Sequence, residues 1–255
     1  MQKNAEKKDF FMDKAPMPLL ENGKLDLARV RNGILLLTFD DGRFETWLPQ
    51  LELFERYNGR ATFFYDKEIT AEAAESMKTL RAHGHSVGLH TIGHKDAVDI
   101  TPQAYFDNFI RPQLEQCRAY GVEDIRFFAY PNNRHSEAFD TFLGQYFSRF
   151  RAGTGIRAPK GFRIADFDEP YLAFDRLGDH RVMGGCGIGP FYETTQENLD
   201  SALEKAAAQN KVITFFSHAI LPEAKTVHMA EETLLAMLQK AAELGMVIAG
   251  FNELP

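Results

Sequence analysis

Apolar and polar positions alternate along the chain in blocks that predict strands followed by helices. Residues 34–39, ILLLTF, are a near-continuous apolar run, which is typical of a strand buried on both faces. Apolar residues then recur at helical spacing from Trp47 to Tyr57. The remaining predicted strands cover residues 61–65, 86–89, 126–129, 147–152, 171–174, 212–216 and 246–250, and the remaining helices cover 71–82, 102–121, 196–209 and 229–244.

This alternation predicts an α/β protein with a parallel sheet, either open or closed into a barrel. A chain of 255 residues is long enough for one large domain of this class. Residues 1–32 are polar and have little periodicity, so we expect an N-terminal arm lying on a single domain of residues 33–255. The segment 157–189 is rich in glycine and shows no clean period.

The net charge of -7 argues against nucleic acid or an anionic membrane as the main partner. No apolar run is long enough to predict a membrane span. The two cysteines, Cys117 and Cys186, have neither zinc-knuckle spacing nor the number that a disulfide scaffold needs. The first residues lack the apolar core of a secretory signal, which predicts a cytoplasmic protein if Met1 is the native start and a periplasmic or secreted one if a leader was removed.

Polar residues follow four of the predicted strands directly. Because parallel α/β folds gather their active residues at the carboxyl ends of the strands, we expect these residues to meet at one rim. They are Asp40-Asp41-Gly42, His90-Thr91-Ile92-Gly93-His94, Tyr130-Pro131-Asn132 and Ser217-His218.

A metal site is the chemistry that this pattern favours most. Two histidines four residues apart can present their rings on the same side of a helical turn, and one carboxylate completes a three-ligand set that leaves room for water. His90, His94 and Asp41 are therefore the predicted ligands. The alternatives are a hydrogen-bonded structural histidine pair and a helix cap at Asp41, but neither accounts for Asp40 and His218 at the same rim.

These motifs, in this order and spacing over residues 33–251, resemble the polysaccharide deacetylase family, also called the chitooligosaccharide deacetylase homology domain or carbohydrate esterase family four. The resemblance implies a distorted barrel of about seven β/α units. It implies a divalent metal, usually zinc, on Asp41, His90 and His94. It also implies Asp40 as general base and His218 as general acid.

The resemblance further assigns substrate and oxyanion contacts to the third motif, here Tyr130 and the backbone N–H of Asn132. That motif departs from many members, because Ala129 stands where they have an arginine that orients the catalytic aspartate. Phe128-Ala129-Tyr130-Pro131 resembles a branch of the family in which an arginine from a later strand serves instead. The resemblance makes Arg176 the candidate, although it could equally pair with Asp175 or Asp179 at the surface. The alternative interpretation of His218 is a structural histidine of the core at the end of a strand.

The family normally places an aspartate and a tryptophan around the acid histidine. The single tryptophan here, Trp47, lies in the first helix, so the tryptophan that normally lines the site beside the acid histidine is missing or replaced. Asp175 is the candidate for the aspartate that would orient His218. Several aromatic side chains could stack on a sugar or could belong to the core. They are Phe44, Trp47, Tyr65, Phe191 and Tyr192.

The leading hypothesis is a zinc-dependent N- or O-deacetylase acting on an acetylated carbohydrate. The alternatives are a C–N hydrolase of a small cyclic amide and a carbohydrate-binding relative without turnover, which would need neither Asp40 nor His218. A non-haem iron oxygenase also uses two histidines and a carboxylate, but its common all-β barrel does not fit the strand–helix alternation. Nothing in the sequence specifies an oligomeric state.

Overall fold

The computed structural model of the protein describes residues 16–154 and 162–255, so part of the predicted arm (1–15) and of the Gly-rich segment (155–161) lies outside the described residues. The strands are β1 Ile34–Phe39, β2 Thr62–Tyr65, β3 Ser86–Leu89, β4 Phe127–Ala129, β5 Arg149–Gly153, β6 Tyr171–Leu172, β7 Val182–Gly187, β8 Val212–Ser217, β9 Ile220–Leu221, β10 Met229–Ala230 and β11 Val247–Ala249. The α-helices are α1 Phe44–Trp47, α2 Leu51–Arg56, α3 Ala71–Ala82, α4 Pro102–Tyr105, α5 Arg111–Ala119, α6 Glu137–Leu143, α7 Gln196–Ala208 and α8 Glu231–Glu243.

Seven parallel strands close into a barrel in the order β1-β2-β3-β4-β5-β7-β8. Closure depends on β8, which pairs with the full length of β1 from Ile34↔Val212 to Phe39↔Ser217. The other edge of β1 is shared: β11 pairs with its first half and β2 with its last two residues. This confirms the predicted distorted (β/α)7-type barrel.

The near-continuous apolar character of β1 follows from burial on both faces. Successive residues of a strand point to opposite sides, so Leu35, Leu37 and Phe39 pack outward against the helices, while Ile34 and Leu36 point into the barrel. The interior also contains Phe64, Phe127, Ala129, Met183 and Val212, and its amino-terminal end is closed by Leu25, Val30, Phe251 and Leu254. The lower part of the barrel is therefore an apolar core.

Strand β7 was not predicted from the sequence. Its residues, VMGGCG, include three glycines and show no alternation, which favours a loop. In the barrel a Cβ atom on Gly185 would lie 3.1 Å from Cδ1 of Phe216 on the neighbouring β8. Gly185 therefore fits against a large side chain of the adjacent strand, a requirement that becomes visible only when the two strands are paired.

The helix predicted over residues 102–121 begins at Pro102 as expected, with Thr101 accepting a hydrogen bond from the N–H of Ala104. It is interrupted by a π-helical turn at Phe106–Ile110 before continuing as α5. Pro112 explains the interruption, because proline has no N–H to bond the carbonyl four residues earlier and its ring crowds that position.

The carboxyl ends of β1, β3, β4 and β8 open at the same mouth of the barrel, as expected for parallel strands. Across the described parts of the chain, no helix has the length and apolar character that crossing a bilayer requires. Both cysteines are free and buried. The polar upper mouth is thus the region where chemistry is to be sought.

The barrel wall leaves no room for a side chain at Gly88 in β3. A Cβ atom there would lie 2.6 Å from the carbonyl oxygen of Phe127 and 2.6 Å from Cε1 of Phe64. We expect Gly88→Ala to lower the free energy of unfolding by about 1–3 kcal/mol, as overpacking does. Urea denaturation measures it. Gly178→Ala is the control, because nothing lies within 4 Å of its Cβ position, and an equal loss in both variants would contradict the packing argument.

Candidate metal centre and catalytic residues

Asp41, His90 and His94 come together at the upper mouth of the barrel. One ligand atom from each residue lies within 4.8 Å of the other two. Nε2 of His90 is 3.7 Å from Oδ1 of Asp41, and Nε2 of His94 is 3.9 Å from the same oxygen. The predicted constellation therefore exists as a convergent set of donor atoms.

Unusual backbone conformations point these side chains inward. Asp41 has φ 72°, in the left-handed region, and Thr91 and His94 have φ 59° and 53°. Such conformations are uncommon outside glycine and collect at functional sites. The two histidines are thus brought together by a left-handed loop, so the prediction of a helical turn was wrong, and Arg43, not Asp41, occupies the cap position of α1.

The donor set fits a divalent cation. Oδ1 of Asp41 is buried and has no hydrogen-bond partner among the described residues. Nδ1 of His90 bonds the carbonyl of Ala129 at 2.8 Å, which leaves Nε2 turned toward Asp41. Burial lowers the pKa of His90 to about 4, so its ring is neutral at pH 7 and can offer a lone pair to a metal.

Asp40 lies beside this cluster and is fully buried. Its Oδ2 accepts a hydrogen bond from Arg151 of β5, while its Oδ1 has no partner among the residues described. Burial alone would raise the pKa of Asp40, but the charge and the hydrogen bond of Arg151 help to outweigh it and bring the pKa below its usual value. Asp40 is therefore a carboxylate with one oxygen held and one oxygen available.

Arg151 reaches Asp40 from the opposite side of the barrel. β5 is separated from β1 by β7 and β8 on one side and by three strands on the other, so the side chain crosses the interior. Its other Nη donates to Oδ1 of Asn133, and its guanidinium lies 4.7 Å from the ring centre of Phe216. Arg151 thus holds Asp40 in the way expected of an arginine from a later strand.

The prediction that Arg176 has this role is wrong. Arg176 is exposed in a short 3-10 helix that follows β6. β6 pairs with Val212 and Ile213, the first residues of β8, which places it at the amino-terminal end of the barrel. The sequence did contain a signal for the correct residue: Arg149 and Arg151 lie on one face of a buried strand, and a charge there requires a partner.

His218 follows β8 and points its Nε2 toward the cluster, 3.9 Å from Oδ2 of Asp41. Its Nδ1 bonds the carbonyl oxygen of Val227 at 3.1 Å. Ser217 donates its hydroxyl to the same carbonyl at 3.2 Å. The candidate Asp175 is exposed next to Arg176, so His218 is oriented by a backbone carbonyl and not by Asp175.

The third motif contributes differently from the prediction. Tyr130 is fully buried, packs on Phe128 and Phe150, and leaves its hydroxyl inside the protein without a hydrogen-bond partner in the described chain. Its assignment as a substrate contact is therefore wrong. Asn132 is exposed at the rim with φ 52°, and its side chain donates to Oδ1 of Asp96 at 2.5 Å.

Most of the predicted sugar-stacking aromatics are packing residues. Trp47 is fully buried and donates its indole N–H to the carbonyl of His218 at 2.8 Å. Phe44 and Tyr65 stack on each other at 5.1 Å, and Tyr192 packs on Phe216 at 5.2 Å. Phe191 differs, because it is 73% exposed on the loop after β7.

Comparisons with known proteins show which family and fold the chain resembles. Residues 28–146 match the sequence model of the polysaccharide deacetylase family. The chain is similar to a chitin deacetylase of Colletotrichum lindemuthianum, with 41% identity over 25% of this chain and 28% of that protein. It is also similar to the putative polysaccharide deacetylase YxkH of Bacillus subtilis, with 25% identity over 63% of this chain and 56% of that protein. The matched part of the chain thus spans 28% of the length of the first relative and 56% of the length of the second.

Solved structures show the same barrel. A T48 deacetylase with substrate superposes with a TM-score of 0.59 at 16% identity and covers 90% of this chain and 92% of its own. A CE4 family pseudoenzyme from Bacillus anthracis superposes with a TM-score of 0.58 at 14% identity. The superposition covers 89% of this chain and 66% of the pseudoenzyme. At this identity the likeness concerns the fold. The sequence model matches the first half of the chain and the barrel has the fold of these structures, so the chain is similar to the polysaccharide deacetylase family.

Proposed function

We propose that this protein is a metal-dependent hydrolase that removes acetyl groups from an acetylated carbohydrate. The observation that carries the proposal is the convergence of Asp41, His90 and His94 beside a carboxylate, Asp40, whose Oδ1 is available. Two neutral imidazoles and one carboxylate, with further positions open, favour zinc as the cation. A divalent cation in such a site supplies activation of water and polarisation of a carbonyl group.

In this proposal Asp40 is the general base. Oδ2 is occupied by Arg151, so Oδ1 is the atom that accepts the proton of the attacking water. Arg151 and Asn133 fix the orientation of the carboxylate, which keeps Oδ1 directed toward the cluster. The depressed pKa of Asp40 supports this role because a base must be ionised before it accepts a proton.

His218 is the proposed general acid. The carbonyl of Val227 accepts the proton of Nδ1, so Nε2 is the nitrogen that faces the site and carries the proton to be delivered. Its target is the leaving nitrogen or oxygen of the sugar. Asn132 is proposed to offer its backbone N–H to the developing oxyanion, and its bond to Asp96 ties the loop after β4 to the loop that carries His94.

The function is tested by acetate release. After reconstitution with zinc, the protein is expected to release acetate from acetylated oligosaccharides, with a small cyclic amide as the comparison substrate. Asp40→Asn should keep the metal and lose roughly 100- to 10,000-fold in kcat, the range of general-base catalysis. Turnover of the cyclic amide alone would reject the deacetylase assignment, and a fully active Asp40→Asn would reject the base.

The ligand assignment is tested by metal uptake. His94→Ala removes one of three protein donors while leaving the buried His90 and its bond to Ala129 in place. We expect a loss of at least roughly 100-fold in zinc affinity, since even outer partners of metal ligands are worth 10- to 100-fold. Elemental analysis after dialysis measures it, with His83→Ala as a control because His83 is exposed and bonds Glu55. One equivalent of zinc in His94→Ala would contradict the assignment.

The role of Arg151 as a positioning residue is tested by Arg151→Lys. Lysine keeps the charge but lacks the planar fork that bonds Asp40 and Asn133 together. We expect kcat to fall by roughly 10- to 100-fold with little change in KM or zinc content, as for loss of a transition-state interaction. In the Asp40→Asn background the same change should have no further effect on kcat. Additive losses would show that Arg151 only stabilises the fold.

A further inference from the structure

Arg43 lies two residues after Asp41 and carries a guanidinium that the proposed mechanism does not use. Its backbone is fixed, because its carbonyl accepts hydrogen bonds from the N–H groups of Thr46 at 2.9 Å and Trp47 at 3.1 Å at the start of α1. The side chain is 39% exposed, so its outer end lies at the rim of the site. The position of the Arg43 charge is therefore fixed by the start of α1, close to Asp41.

The guanidinium of Arg43 forms a long ion pair with Asp41 but no hydrogen bond within the described residues. Its Nη2 is 4.0 Å from Oδ2 of Asp41, which is beyond hydrogen-bond distance. Its Nε is buried and has no hydrogen-bond partner in the described ranges. A buried N–H without an acceptor is costly. If Asp41 holds a cation, as proposed, its negative charge is neutralised by that cation and is less available to balance Arg43.

The neighbouring cation of the same loop differs in this respect. Lys67 donates to the carbonyl of Asp41 at 2.9 Å and lies 3.7 Å from Oδ1 of Asp66. Its donors and its charge are therefore partly satisfied within the protein. Arg43 is the cation at this loop that retains donors for an external group.

His228 adds a second donor beside Arg43. Its Nδ1 accepts the N–H of Ala219 at 3.2 Å, so the ring proton of the neutral form lies on Nε2. Its ring centre is 6.0 Å from that of His218. The turn that begins at Arg43 is joined to the same loop, because Thr46 accepts the N–H of Ile220 at 3.2 Å and Trp47 donates its indole N–H to the carbonyl of His218 at 2.8 Å. Arg43 and His228 thus both belong to segments that contact the loop carrying the proposed acid.

We propose that Arg43, assisted by His228, binds a carboxylate of the substrate, which makes an acidic acetylated sugar the preferred substrate class. This inference rests on the proposed function. The planar fork of a guanidinium matches a carboxylate in a bidentate arrangement, and such charge-assisted bonds are stronger than those to a neutral hydroxyl. The overall charge of -7 makes a local cation at the rim the feature that would select such a substrate.

The test compares two sugars that differ only in charge, N-acetylmuramic acid and its methyl ester. Dissociation constants come from NMR titration of the full chain without added metal. We expect the wild type to bind the acid roughly 10- to 100-fold more tightly than the ester, the range of a charge-assisted hydrogen bond. Arg43→Met should remove this preference, and Arg43→Lys should keep part of it.

Arg176→Met is the matched control, because Arg176 is an exposed arginine at the other end of the barrel. It should leave the preference unchanged. A wild type without preference for the acid, or an Arg43→Met variant that keeps it, overturns the inference. Failure of the proposed function gives a different result: no acetate is released from any sugar, while the difference between acid and ester persists.

Discussion

The hydrogen-bonded ion pair between Arg151 and Asp40 is the interaction on which the rest of the site depends. It joins β5 to the end of β1 across the interior of the barrel, with Asn133 accepting from the same guanidinium. Isolated charges at such depth would be very costly, and they are tolerated here because each has a partner. The pair converts the upper interior from a core into a polar site while the lower interior remains apolar.

The pair also decides what each carboxylate can do. With one oxygen of Asp40 held by Arg151, the two adjacent aspartates have different environments: Asp40 is fully buried and tethered, whereas Asp41 turns toward His90 and His94 through a left-handed residue. Two carboxylates one residue apart therefore take separate positions. The difference comes from backbone conformation and a distant arginine, and it separates the metal ligand from the base in the proposed function.

Backbone carbonyls orient two histidines of the site, a role that carboxylate side chains often have. His90 is oriented by the carbonyl of Ala129 and His218 by that of Val227. A carbonyl fixes the tautomer of an imidazole as a carboxylate does, but it adds no negative charge. The site thus contains fewer acidic groups than one with carboxylate-oriented histidines. This balance is compatible with an uncompensated Arg43 at its rim and with the acidic substrate that we propose.

The sequence by itself determined the fold class and the side chains that meet in the Asp41–His90–His94 cluster. The apolar run of β1 and the strand–helix alternation require a parallel sheet, and polar residues directly after strands must meet at one mouth because parallel strands share their direction. That argument gave Asp40, Asp41, His90, His94 and His218. The sequence also marks Arg149 and Arg151 as charges in a buried strand that need partners. It could not identify Arg151 as the side chain that crosses the barrel, because that depends on closure and register, which are properties of paired strands. For the same reason β7 was missed, since the fit of Gly185 against Phe216 exists only once β7 and β8 are paired. Arg176 was chosen by its place in the chain, and only tertiary structure separates the two ends of the barrel.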